Sequence, residues 1–201
     1  MKVPTRILLT CAAIGAAGGV LLVPVNLVSS VLAPTVPLAY AAIAGVYSLP
    51  FVLVLALLRR PGVALLAGLI AGIINAILTP QGPSAIITCL MVAFFLEIPF
   101  AIGLYRSWRA WIFYVGAGVF ALVYALYSML RAGGEAWPWW MQLGYPVLCV
   151  ASNLAAVWLG RLIAARLEAA GLARGLRPAR DGVTGAPSAS SDAPAEAAPA
   201  D

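Results

Sequence analysis

Four kinds of side chain in this sequence could do chemistry, and all four sit among apolar neighbours. Glu97 is the one carboxylate inside a long apolar run. Such a group costs roughly 2.5–3.5 kcal/mol in a membrane-like setting unless a partner or cavity receives it. At the helical rise it lies roughly 13 Å from Arg106. It is either a contact for a cationic or hydrogen-bonding ligand, or a protonated structural group bonded to a neighbouring helix. Asn26, Asn75 and Asn153 fall in the same halves of their apolar segments, with Gln81, Thr88, Gln142 and Tyr145 further toward that end. Tyr40, Tyr47, Tyr124 and Tyr127 accompany them. Amides and phenols converging on one end are what a small-molecule pocket requires, although an interhelical hydrogen bond explains any single Asn equally well. Trp137, Trp139 and Trp140 form either an interfacial aromatic belt or a lid that stacks on an aromatic ligand. The candidate binding set is therefore Glu97, Asn26, Tyr47, Asn75, Gln81, Trp137, Trp139, Trp140, Tyr145 and Asn153.

Other chemistries lack their residues. The chain has no His, and Cys11, Cys89 and Cys149 lie far apart with no C-x-x-C spacing, so no metal site is expected and the thiols read as small buried hydrophobes. Nucleotide-binding, metalloprotease and serine-hydrolase motifs do not occur. The expectation is a protein that is not an enzyme, has no catalytic residues and carries no cofactor. A net charge of +5 is spread in small groups between apolar runs, which argues against nucleic acid.

The elements that position these groups are membrane helices. Of 201 residues, 63% are apolar and 9% charged, against roughly a quarter charged in soluble domains, and the mean hydropathy is +1.00. Six apolar windows of spanning length, about 17–25 residues, lie near 6–32, 37–58, 62–78, 84–104, 110–130 and 141–165. Ala33-Pro34-Thr35, Arg59 to Gly62, Thr79 to Pro83, Tyr105 to Arg109 and Arg131 to Trp140 separate them, and most carry helix-breaking Pro or Gly. With the N-terminus inside, eleven basic residues face the cytoplasm and only Arg131 faces out, the asymmetry that sets orientation. The expected fold is all-α, a six-helix bundle with both termini cytoplasmic in a bacterial inner membrane. Residues 1–170 form the substrate-binding domain. Residues 171–201, rich in Ala, Pro and Ser, read as a disordered cytoplasmic tail. The first 33 residues resemble a signal peptide, but the apolar run is too long and Pro34 follows the cleavage point, so it reads as a retained helix. No internal repeat of the kind found in secondary carriers is seen. Ala12, Ala13, Ala16 and Ala17, interleaved with Gly15, Gly18 and Gly19, let another helix approach closely.

Two stretches resemble a known family. Arg59-Arg60-Pro61-Gly62-Val63-Ala64-Leu65-Leu66-Ala67-Gly68, and Phe95-Leu96-Glu97-Ile98-Pro99-Phe100-Ala101 leading to Tyr105-Arg106, are similar to the substrate-binding S components of energy-coupling factor transporters. The likeness is to the YkoE-type branch associated with thiamine and its hydroxymethylpyrimidine precursor, and covers roughly residues 6–165. It implies a subunit that binds a vitamin from outside. It implies docking through small residues of helix one (here Ala12, Ala13, Ala16 and Ala17) on a transmembrane coupling subunit (EcfT-like) driven by two cytoplasmic ATPases. ATP is then used by the partners, not by this chain. The branch's pattern has an acidic residue in helix three where Gly68 stands here. A self-contained carrier or channel, or a structural protein whose Asn residues only join helices, are the other readings.

Overall fold

A computed structural model describes residues 5–106 and 108–170. Residues 171–201, expected to form the tail, lie outside the described residues. The described residues are helical throughout, with no strand. Helix α1 runs Thr5–Thr35, α2 Pro37–Ile43, α3 Leu49–Leu58, α4 Val63–Leu78, α5 Ser84–Ile102, α6 Ala110–Arg131 and α7 Trp139–Ala169. Short 3₁₀ turns occupy Ala44–Ser48 and Gly134–Ala136. Five segments are long and apolar enough to cross a membrane, and α4, of 16 residues, is a shorter apolar helix. The α2–3₁₀–α3 run Pro37–Leu58 counts as one of the five.

Three boundaries differ from expectation. Helix α1 continues through Pro34 to Thr35, because a proline's φ is helical and only one amide is lost. Thr35 Oγ1 and the Val36 amide close the last turn on the carbonyls of Val31 and Leu32 at 2.6 and 2.8 Å. The second span is not one continuous helix. Pro50 has no amide for the Val46 carbonyl, and Ser48 Oγ donates to the Gly45 carbonyl at 2.7 Å, so the middle tightens into a 3₁₀ turn. Helix α5 stops at Ile102, two residues early. Leu104 and Tyr105 adopt φ of 49° and 54°, and the chain doubles back with the Tyr105 amide on the Phe100 carbonyl at 2.8 Å.

Helix α3, with the sequence LPFVLVLALL, is apolar all round and runs through the centre. All its residues but Leu49 and Leu53 are buried. The helices α1, α4 and α5 pack by small residues. A methyl group at Gly15 or Gly19 would lie 3.0 Å from the Cα of Ala67 or Ala71 on α4. On the other face of α4, a Cβ at Gly68 would lie 2.9 Å from the Ala93 Cβ, and one at Gly72 2.8 Å from the Ile86 Cα. Backbones this close leave no space for the acidic side chain that the family pattern places at position 68. The 3₁₀ turn presses on α7 in the same way: a Cβ at Gly45 would overlap the Ser152 carbonyl, and the Gly45 amide donates to Ser152 Oγ at 2.9 Å.

Candidate functional site

At the end of the bundle opposite Arg59, Arg106 and Arg161, five segments enclose a chamber of about 300 Å³. The α2–3₁₀ segment supplies Tyr40, Ala44 and Tyr47, and the α4–α5 connection supplies Gln81. Helix α5 adds Ser84, Ile87, Thr88, Met91 and Val92. Helix α6 contributes Phe120, Tyr124 and Tyr127, and α7 contributes Asn153. The wall is mostly aromatic and aliphatic, with phenol, amide and hydroxyl groups set into it, the make-up of a site for a small organic molecule. None of these lining side chains carries a formal charge at neutral pH.

The polar groups are held from behind. Tyr47 OH donates to Asn26 Oδ1 at 2.7 Å, and Asn26 Nδ2 donates to Asn75 Oδ1 at 2.6 Å. Asn75 Nδ2 then donates to the carbonyls of Gly19 and Ala71, both at 2.9 Å. This chain joins the 3₁₀ turn, α1 and α4. It fixes the Tyr47 phenol at the chamber wall. Asn153 Oδ1 lies 3.0 Å from Ser48 Oγ and shares that hydroxyl's one proton with the Gly45 carbonyl, and Asn153 Nδ2 donates to the Cys149 carbonyl at 2.9 Å. Each of its polar atoms keeps a second hydrogen-bonding position.

A second hollow of about 700 Å³ adjoins the chamber and shares Tyr40, Tyr124 and Tyr127 with it. Its other walls include Pro34, Pro37, Arg131, Trp137 and Tyr145. The Trp137 and Tyr145 rings meet edge to face, with centroids 5.6 Å apart. Gln142 Nε2 ties the preceding loop down through the Trp137 carbonyl at 2.8 Å.

Of the sequence-derived candidates, Tyr47, Gln81 and Asn153 line the chamber, and Trp137 and Tyr145 line the adjoining hollow. Asn26 and Asn75 stand behind the wall as interhelical links. Trp139 and Trp140 line neither hollow and are 74% and 53% exposed, as interfacial aromatics are. Ser84, Ile87, Met91, Val92 and Phe120 line the chamber and were not singled out. Nothing in their local sequence marks them, because facing is decided by how α5 and α6 are rotated.

Glu97 stands apart from both hollows. It is 3% exposed and lines neither hollow; it is at the arginine-bearing end. Its carboxyl oxygens accept from the amide of Gly62, from that of Leu65 at 3.4 Å and from the Tyr105 hydroxyl at 3.2 Å. Gly62 is the N-cap of α4, in a left-handed conformation with φ 78° that glycine adopts without strain. Lacking a side chain, it cannot cap its own helix. Glu97 of α5 therefore bonds both the N-cap and N3 amides, the two donors that a capping box satisfies from within one helix, and places its oxygens at the positive end of the helix dipole. The residues on which the family resemblance rests, Pro61-Gly62, Glu97 and Tyr105, are thus one structural staple. Burial, then the Glu97 carboxyl beside it, pushes the Tyr105 phenol up to about 12.

The small residues of α1 divide between two faces. Gly15, Gly18 and Gly19 are buried against α3 and α4, and Ala12 and Ala16 are half-buried. Ala13 and Ala17, one turn apart, are exposed.

Comparison with known proteins agrees with this architecture. A solved structure titled "Crystal structure of an S-component of ECF transporter" matches over 87% of this chain and 90% of that one. The TM-score is 0.77 at 21% sequence identity, a likeness of fold. No curated protein matches the sequence. The family model described as "ABC-type cobalt transport system, permease component" matches residues 7–124. The chain belongs to this family of membrane transport components.

Proposed function

We propose that this protein is the membrane-embedded substrate-binding subunit of an energy-coupling factor importer in a bacterial inner membrane. Its ligand is a small planar heterocycle of the thiamine type, and the hydroxymethylpyrimidine half suits the chamber better than intact thiamine. The observation that carries this reading is the uncharged chamber of about 300 Å³ framed by Tyr40, Tyr47, Tyr124, Gln81 and Asn153. An aminopyrimidine offers donors and acceptors that Tyr47, Gln81 and Asn153 can match, and a ring face for the tyrosines. With Glu97 spent on α4, a thiazolium cation would find only aromatic faces, a weaker contact than a buried ion pair.

The family description names cobalt. Divalent cobalt is held by imidazole, thiolate or carboxylate, and the described residues contain no group of three His, Cys, Asp or Glu placed to share an ion. The lining donors here are phenols, amides and hydroxyls. An organic ligand is the better fit.

The division of labour follows from what the chain carries. It has no nucleotide-binding motif, so ATP is consumed by two cytoplasmic ATPases acting through a transmembrane coupling subunit. Ala13 and Ala17 are the small residues of α1 free to meet that subunit. The distribution of basic residues supports an external position for the chamber.

Mass spectrometry of small molecules released from the purified protein tests the reading, followed by calorimetric titration with hydroxymethylpyrimidine and thiamine. The expected outcome is tight binding of a pyrimidine and no uptake by proteoliposomes that contain this chain alone. Uptake without ATPases would make it a self-contained carrier. Failure to bind either compound would remove the thiamine-type ligand.

A further inference from the structure

Two hollows that share a wall raise the question of what the wall does. That wall is Tyr40 of α2 and Tyr124 of α6, whose phenol oxygens are hydrogen-bonded to each other. Together with Tyr127 they line both the chamber and the larger hollow. Neither ring is loosely held. Tyr40 packs on the small cluster of Ala41, Ala44, Ala125, Tyr145 and Cys149, and Tyr124 stacks on Phe120 with centroids 5.8 Å apart. The contact is polar on polar in an aromatic setting, with one phenol donating and the other accepting. Its loss leaves two hydroxyls in need of partners.

We propose that the Tyr40–Tyr124 pair is the size-specificity determinant of the site. Closed, it limits the chamber to about 300 Å³, the low end of ligand-pocket volumes and suited to one ring with short substituents. A longer ligand must part the two phenols and extend into the hollow beside Trp137 and Arg131. The freed hydroxyls then turn to the ligand, which repays their separation only if it offers polar atoms at that point. Selection between one-ring and two-ring molecules therefore resides in these two residues. This rests on the chamber being a site for an organic ligand, as proposed above.

The test has one arm that needs no ligand. Ala44 lines the chamber and not the adjoining hollow, and the native thiols Cys11, Cys89 and Cys149 are buried. Ala44→Cys is therefore labelled with a small methanethiosulfonate and with a bulky maleimide dye, the unsubstituted protein serving as the blank. Adding Tyr124→Phe or Tyr40→Ala is expected to raise the rate of the bulky reagent about tenfold and that of the small one less than about threefold, a size-selective opening. If the bulky reagent already reacts as fast as the small one beside the intact pair, entry is past Ser84 and Ile87 and the proposal fails. It also fails if both reagents respond alike to the substitutions. In the ligand arm, the preference for hydroxymethylpyrimidine over thiamine should be about tenfold or more and should narrow to within about threefold in Tyr40→Ala, since a steric discrimination of this kind is worth one to two factors of ten. An unchanged ratio overturns the proposal. Binding of neither compound, with the labelling result obtained, would overturn the ligand assignment and leave the partition standing. Tyr124→Phe keeps the ring and removes one hydroxyl, so it reports on the bond even where Tyr40→Ala fails to fold.

Discussion

Replacing Glu97 separates a structural role from a ligand-binding one. In Glu97→Ala, the amides of Gly62 and Leu65 lose their acceptor where the carboxyl was 3% exposed. Gly62 is exposed and Leu65 half-buried, so water can replace the carboxyl, and the loss is that of an N-cap, about 0.5–2 kcal/mol. The Leu65 contact is long at 3.4 Å, so the Gly62 amide dominates. The Tyr105 hydroxyl is only half-buried and can turn to water. A loss of about 2 kcal/mol is expected, or roughly 4–8 °C in midpoint at roughly 2–4 °C per kcal/mol for a chain of this size. Glu97→Gln keeps one acceptor oxygen for Gly62 and gives up the one that Leu65 uses, a loss of about 0.5 kcal/mol. A thiol-reactive fluorophore reads unfolding directly, because all three cysteines are buried and unpaired. Ligand affinity, measured below the midpoint, should stay within about threefold in both variants, the carboxyl being outside the chamber and its effect there under about 1 kcal/mol. A Glu97→Ala protein with an unshifted midpoint, or one that keeps its midpoint and loses its ligand, would refute this reasoning.

Three further predictions use other parts of the molecule. Asn26→Ala orphans the Tyr47 hydroxyl and Asn75, so it should lower stability by about 2 kcal/mol and also weaken pyrimidine binding, seen by melting and by calorimetry. Ala17→Leu should leave the melting midpoint in place and reduce co-purification with the coupling subunit. Gly19→Leu should destabilise the isolated protein instead, because even a methyl group there lies 3.0 Å from the Ala71 Cα. For Tyr105, a phenolate difference titration between the unsubstituted protein and Tyr105→Phe should show a midpoint near 12, lower in Glu97→Gln. A folded value above the ordinary value near 10 means that this residue's contribution to stability is complete below about pH 10 and is lost as pH rises through 12.

What the sequence determines by itself is the solvent and the period. Runs such as Leu49–Leu58 or Val63–Leu78 have no polar face to turn to water, so a membrane bundle follows from composition. Local backbone chemistry places most of the breaks, as at Thr79–Pro83 and Arg59–Gly62. The gathering of Tyr47, Gln81 and Asn153 toward one end was legible too, because helices that alternate direction carry their polar halves to the same side. Tertiary structure alone decides which face of each helix looks inward. At 3.6 residues per turn, a small rotation of α5 exchanges Thr88 and Met91 for lipid-facing neighbours, and no uniformly apolar stretch encodes that rotation. The same limit applies to Glu97. A carboxylate amid apolar residues announces that it has a partner, but the partner is the bare end of α4, created by a glycine N-cap and brought within reach by the close packing of Gly68 against Ala93. The amides behind the wall follow suit: Asn26, Asn75 and Tyr47 are far apart in the chain, and only the 3₁₀ turn and the glycine-faced contact of α1 with α4 bring them into one hydrogen-bonded line.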